Sequence, residues 1–510
     1  MEDFKSEYIE EPDLVFGRQI EEKDPRIGLM YNGPYQYSDE SQPSPSQIKV
    51  GIIGSSSTMT SAKRVLEKLG KKIESQEPNK WLYPDYPGFI KNSIIQCEFI
   101  TSENWQAIIK ENEIKAVLSI SENINKRIAA GVNLFRDKVK TISLEDNKPD
   151  VIICALPPDI EEYCGISEQT RGAKKPKFTP IEKLRQDMKS VGQTFLDQWG
   201  LDISEEHFKE DLDLDFRNAL KGKVMEFGIP VQILKDSVAS GFLYYRESGV
   251  KETQEPATLA WNLSTALYYK ANGKPWRLAK LRQDTCYVGI SFFRNLLNPN
   301  VDMQTSMAQV FTHNGEGIVI RGTEVTRDKV AKEPHMSQRQ ARDLLTKALE
   351  TYEQKAGRGP SRIVIHKTTS FSYDEKAGFS SAADKVSIDF VTISNQHPYR
   401  FTRTGIYPVI RGTIIHLAHN KCLLYTSGYI PRIRTYPGQR IPRPLLITHS
   451  GDSEMIDICK EILGLTKLNW NTTAFATSLP ITLEFSHKVA GILSELEEGK
   501  LLQNHYRFYM

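Results

Sequence analysis

The sequence predicts an α/β fold built as two successive units. Three observations carry this: strands alternating with helices in the first half, three closely spaced strands from about residue 284, and a sharply bounded helix at 338–356 with a strand after it. A chain of 510 residues has room for roughly two to four domains, each with its own core.

Residues 1–47 are polar and punctuated by Pro12, Pro25, Pro34, Pro43 and Pro45, the pattern of an extended arm or linker. Lys49–Ile53 then predicts a buried strand, with Gly54, three serines and a helix at about 61–72 after it. GIIGSSS at 51–57 lacks the Lys of a phosphate loop and the third Gly of a dinucleotide fingerprint, so a strand–turn–helix junction accounts for it. Further strands are predicted at 151–155, ending before Pro157, and at Val231–Leu234, with helices at about 183–199, 205–227 and 256–272. This alternation predicts a doubly wound, Rossmann-like layer spanning 48–280.

The second unit, 281–510, opens with strands at Cys286–Phe293, Met307–Thr312 and Gly317–Arg321, the last two joined by the turn AsnGlyGluGly at 314–317. Ser337 caps the following helix and Gln340 completes a capping box. Leu344, Leu345, Ala348, Leu349 and Tyr352 form its apolar stripe, and Gly357 stops it. A strand at Arg362–Ile365 comes next. Three antiparallel strands, a helix and a strand are the opening order of an RNase H-like fold. Helices at about 453–465 and 486–497 close the chain.

Composition narrows the functional classes. Hydrophobic residues make up 39% and charged residues 25%, and the net charge is only +2, so a polyanion would have to be met by a local basic surface. Six scattered cysteines form no CxxC and lie mostly in apolar runs. The acidic start MEDFKSEYIEEPDLVF lacks the layout of a signal peptide, and no apolar run is long enough to span a membrane; a reducing cytoplasm is the expected setting.

HisLeuAlaHisAsnLysCys at 416–422 offers metal-ligating residue types, but 416, 419 and 422 do not share a strand face, and Asn420–Lys421 suits a hairpin turn. AspLeuAspLeuAsp at 211–215 suits the positive end of a helix. More telling is 215–234. Arg217 and Lys221, four apart, share one helix face, and Phe227 to Pro230 turn the chain into a strand carrying Gln232. Arg, Lys and an amide together make a donor set for a phosphate monoester, although a solvated helix face would show the same spacing. Residues 428–444 hold Arg432, Arg434, Arg440 and Arg443 with Tyr429 and Tyr436 and no acid, which suits backbone contact and base stacking; Lys174 and Lys175 lie in a second basic loop.

The spacing Arg217, Lys221, Gln232, then Lys270 in AlaLeuTyrTyrLysAlaAsnGlyLysProTrp, resembles the guide 5′-phosphate pocket of Argonaute MID domains. Lys270 also fits a helix-end cation ahead of Gly273 and Pro275. ThrCysTyrValGlyIleSerPhe (285–292) and ArgIleValIleHisLysThr (362–368) are similar to PIWI strands. LeuThrLysLeuAsnTrpAsn (465–471) and the stretch 479–491 are similar to the C-terminal PIWI signature. Residues 8–29 resemble the opening of short prokaryotic Argonautes, which lack N and PAZ domains. The resemblance thus covers most of the chain and implies a MID-like domain followed by PIWI.

Slicing members of that family hold two divalent cations on carboxylates. Here the position two after Gly289 is Ser291, and Thr368 follows the IleHisLys run where a second Asp belongs. Neutral hydroxyls cannot offset two dications, so the resemblance implies a PIWI domain that does not cut. It further implies a 5′-phosphorylated guide RNA and a DNA target. A separate APAZ-containing effector, of TIR or sirtuin-like type more than nuclease type, would deplete NAD on activation within a higher oligomer. A Mg²⁺ at the guide phosphate, aided by the Met510 carboxylate, is also implied. The competing expectations are a guided nuclease with non-standard metal ligands, or a nucleotide-dependent metabolic enzyme built on the 49–57 turn.

Overall fold

The computed structural model describes residues 5–35, 44–121, 123–165, 215–243, 254–282, 284–293, 303–311, 315–326, 334–436, 441–496 and 503–510. The expected helix at 183–199 and the loop holding Lys174 and Lys175 lie outside these residues.

The first unit is a parallel sheet of β4 (Gln47–Gly54), β5 (Glu98–Ile100), β7 (Val151–Leu156) and β8 (Val231–Lys235), in the order β5-β4-β7-β8, with β6 (Gln106–Ile108) also on β4. Its strands are apolar on both faces, as a sheet covered on two sides requires. On β7, Val151, Ile153 and Ala155 enter one core, and Ile152, Cys154 and Leu156 enter the other. The first core is shared with helices α2 (Ser56–Leu69), α7 (Asp236–Leu243) and α8 (Pro256–Lys270). The second is shared with α3 (Glu111–Leu118), α4 (Ile124–Ser143), α5 (Pro158–Cys164) and α6 (Phe216–Val224).

The helix expected at 61–72 begins earlier, because Ser55 accepts from the backbone N–H of Thr58 and starts it at Ser56. The helix expected at 205–227 is described only from Phe216, where Asp215 caps it, and a 3-10 turn carries it to Phe227. α3 and α4 have no counterpart among the helices expected from the sequence; the start signal of α4 is Asn123, which accepts from the N–H groups of Asn125 and Lys126.

The second unit holds a nine-stranded sheet, ordered β1-β15-β16-β17-β14-β13-β10-β11-β12. Its strands are β10 (Thr285–Phe293), β11 (Met303–Phe311), β12 (Gly317–Thr326), β13 (Arg362–Lys367), β14 (Ser387–Ser394), β15 (Thr413–Ala418), β16 (Lys421–Leu424), β17 (Leu445–Ser450) and β1 (Ser6–Tyr8). β10, β13 and β14 run parallel and the flanking pairs are antiparallel, which is the RNase H-like arrangement. α9 (Gln338–Ala356) has the capping box of Ser337 and Gln340 and the left-handed stop at Gly357 that the sequence predicts. With α10 (Tyr373–Ala383) it covers Cys286, Val288 and Ile290 on one face. On the other face, α12 (Ile481–Glu484) and α13 (Ser486–Ser494) cover Tyr287 and Phe293, and α11 (Met455–Leu465) joins the same core. The β15–β16 hairpin turns at His419 and Asn420, which pairs His416 with Cys422 across the ladder.

The polar stretch expected as an extended arm is instead built into both units over its described part. β1 pairs with β15, and β2 (Leu14–Val15) lies between β3 (Glu21–Glu22) and β9 (Arg277–Leu278). Ile9, Leu14, Phe16 and Leu29 are buried. The polar residues that suggested a linker have partners: Glu11 takes Arg411 at 2.8 Å and Lys467 at 3.0 Å. Arg26, on α1 (Pro25–Asn32), donates to Thr473 at 3.0 Å and to the Leu82 carbonyl at 2.7 Å.

Candidate nucleic-acid interface

Local chemistry positions the first two cations. Asp215 caps α6 and directs Arg217 and Lys221 along one face, Lys221 turned inward and only 3% exposed. Gly228 adopts the left-handed conformation (φ 69°) that a side chain would resist, and so reverses the chain into β8. Gln232 stands on β8. Lys270 is the last residue of α8 and is fully buried, so it is both a helix-end cation and a pocket residue.

Packing of α6, β8 and α8 brings all four expected residues together. Lys270 Nζ donates to Gln232 Oε1 at 2.8 Å, and Lys221 Nζ donates to the Val231 carbonyl at 3.3 Å and to the main-chain oxygen of Met510. Arg217 reaches the Tyr509 carbonyl at 3.4 Å. Lys488, at the start of α13, is a further cation not among those expected from the sequence; it is exposed and lies within the stretch 479–491. It acts electrostatically on both buried lysines. Burial, then the cations Lys270 and Arg217, pulls Lys221 well below the ordinary lysine range. Burial, then Arg217 and Lys488, pulls Lys270 down to about 7. No carboxylate side chain is among the groups acting on Lys270. Such a cluster is suited to a di-anionic phosphate, which would supply a counter-charge to Lys270 and accept the convergent donors.

The same donor set does not supply the oxygen shell of a divalent cation. The Gln232 amide oxygen is taken by Lys270 and the Met510 main-chain oxygen by Lys221. A Mg²⁺ takes about six oxygens, so most of its shell would have to come from phosphate and water.

On the second unit's sheet, Ile290 lies beside Lys367 in the parallel register; Ser291 continues β10, and Thr368 is the first residue past the end of β13. Directly below, Gly289 pairs with His366 and Gln309, and a β-carbon at Gly289 would collide with the Thr482 carbonyl on α12. His366 bonds Thr482 Oγ1 at 2.8 Å, and Gln309 bonds Ser486 Oγ at 3.1 Å. Burial, then Arg362, holds His366 neutral, with its pKa down to about 3. Among the described residues no three His, Cys, Asp or Glu side chains are grouped to hold a metal.

The basic stretch 428–444 is less free than its sequence suggests. Arg432 is paired at 2.6 Å with Glu22, an acid brought in from β3. Arg434 lies over Trp81, 5.5 Å from its ring centre, while Tyr429 stacks on Tyr407 at 4.2 Å with Arg403 above it at 5.8 Å. Arg443 is exposed, and Arg440 falls outside the described residues.

With this geometry in hand, comparison with solved structures decides the fold. Clostridium butyricum Argonaute, bound to a guide DNA and a 19-mer target DNA, superposes with a TM-score of 0.60 at 16% identity, over 97% of this chain and 54% of that one. The fold is that of Argonaute MID and PIWI. Aquifex aeolicus Argonaute (TM-score 0.54, 14% identity, 97% of this chain and 54% of that one) and Drosophila Piwi (0.56, 12%, 96% and 54%) share it. No family model and no curated protein matches the sequence. The chain spans about half the length of these Argonaute chains. No described helix is long and apolar enough to cross a membrane.

Proposed function

We propose that this chain binds the 5′-phosphate of a guide strand at Arg217, Lys221, Gln232 and Lys270 and pairs the guide with a target without cutting it. One observation carries the reading: the buried Lys270 amine, bonded to the Gln232 amide, is acted on by the cations Arg217 and Lys488 and by no carboxylate side chain, in a fold shared with an Argonaute solved with guide DNA and target DNA. By the resemblance, Ser291 and Thr368 fall where slicing members carry carboxylates, which supports the non-cutting half.

The finer reading, following the resemblance, is an RNA guide and a DNA target in prokaryotic immunity. Target pairing would bias a separate APAZ-containing partner, of TIR or sirtuin-like type, toward an active NAD-depleting assembly. A Mg²⁺ beside Met510 would draw its ligands mainly from the phosphate and water, and no step here depends on it.

The test is binding of matched RNA and DNA single strands carrying a 5′-phosphate or a 5′-hydroxyl. We expect the phosphate to improve affinity by about tenfold or more, and Lys221→Ala and Lys270→Ala to abolish that preference. Equal binding of the two ends would sink the reading. Cleavage of a guide-matched target with Mg²⁺ or Mn²⁺ would overturn its non-cutting half.

A further inference from the structure

The face that carries Ser291 also carries a cation. In the antiparallel registers Ser291 pairs with Met307, and Met307 pairs with Arg321, so Ser291, Met307 and Arg321 form one row across β10, β11 and β12, and Thr368 is the first residue after β13, whose last residue Lys367 pairs with Ile290. Residues directly opposite in a sheet share a face, so these three are on the side that α12 and α13 cover below this row. Arg321 is half-buried, and its guanidinium carbon lies 5.8 Å from the ring centre of Phe293, two residues beyond Ser291 on the same face. Its Nη2 and the Ser291 Oγ are both buried without a hydrogen-bond partner, while Thr368 is exposed.

We infer that the site which lost its carboxylates is now a phosphodiester site, with Arg321 supplying the positive charge and Ser291 and Thr368 supplying neutral hydroxyl donors. The chemistry follows from what a phosphodiester needs there. In a slicing centre two dications neutralise it and activate water. A guanidinium can bind two non-bridging oxygens in a bidentate fork, yet it offers neither a metal-bound water nor a general base. Phe293 holds the fork at one place and screens one of its faces from water, which strengthens its attraction for an anion. The row would therefore grip a backbone and leave it intact. This inference rests on the guide-binding reading for its ligand.

The phosphodiester could belong to the guide or to the target, and the experiment separates them. Binding of a 5′-phosphorylated guide to the protein alone, and of a complementary target to the guide-loaded protein, would be measured against salt for wild type, Arg321→Ala and Arg321→Lys. We expect Arg321→Ala to weaken one of these steps about tenfold and to lower its salt slope by about one. Arg321→Lys, which keeps the charge and loses the fork, should fall between, and an unchanged melting temperature would show that both variants fold. Loss confined to the target step assigns a target phosphodiester; loss in guide binding assigns a guide phosphodiester. If Arg321→Ala leaves both steps unchanged beside an intact wild type, the Arg321 site is overturned and the guide pocket stands. If wild type binds no phosphorylated guide, the functional reading and this one fall together.

Discussion

The buried ammonium of Lys270 at the end of α8 holds the Gln232 amide oxygen on β8 at 2.8 Å, and so fixes which way that amide faces. The amide nitrogen donates to the Ile233 carbonyl at 3.1 Å. Gln232→Glu would place a carboxylate where the structure supplies none to Lys270. We expect the variant to melt higher at pH 8 in the absence of nucleic acid and to lose its preference for a 5′-phosphate, as read by calorimetry and strand binding. A retained preference would show that the amide is not part of the anion site.

Lys270 makes the unliganded protein pH-sensitive. Its folded pKa, down to about 7, lies below the ordinary lysine value, so between these two values the unfolded chain binds more protons than the folded one. Stability should therefore rise with pH across that window, by at most about 1.4 kcal/mol per pH unit from this group, and the penalty should be complete below it. Phosphate favours the charged amine, so guide affinity should fall as pH rises through about 7. Lys270→Met should flatten both dependences; a wild-type profile in the variant would exclude Lys270 as their source.

Gly289 is fixed by the approach of α12 to β10. Because a β-carbon there would meet the Thr482 carbonyl, Gly289→Ala must push α12 off the sheet. A loss of about 3 kcal/mol or more is expected in urea unfolding, with weakened target binding from displacement of the row above.

Lys367 and Glu375 form an ion pair at 2.7 Å, both almost wholly buried, on the face opposite Ser291. Glu375 also accepts from the backbone N–H groups of Met336 and Ser372 and is held below the usual carboxylate range against its burial, chiefly by Lys367. Removing one partner strands the other, so Lys367→Met should cost about 3–5 kcal/mol, and the double replacement Lys367→Met with Glu375→Gln should cost less. A double-mutant cycle measures the difference.

Ser291 on β10 and Thr368 just past the end of β13 follow the paired residues Ile290 and Lys367. Converting both to Asp would set two carboxylates against each other, which should lower the melting temperature without metal and recover it with millimolar Mn²⁺. Recovery of strand cleavage is not expected from two ligands alone, and its appearance would show that the remaining ligands were still in place.

Elements whose signals are local were legible in the sequence. The capping box at Ser337, the stop at Gly357 and the stripe between them set α9 to the residue, because a cap and a stop are decided by the nearest few residues. The pairing of Arg217 with Lys221 followed likewise from helical spacing. Only the tertiary structure decided that residues 5–35 are no arm, since Glu11 and Arg26 look solvent-bound until Arg411, Lys467 and Thr473 arrive from the far end of the chain. It also decided that Arg432 is spent on Glu22, that the charge of Lys488 acts on Lys270, and that Arg321 shares a row with Ser291. The reason is common to all of these. A side chain's charge is written in the sequence, but what neutralises it is set by strand register and helix packing between residues far apart in the chain.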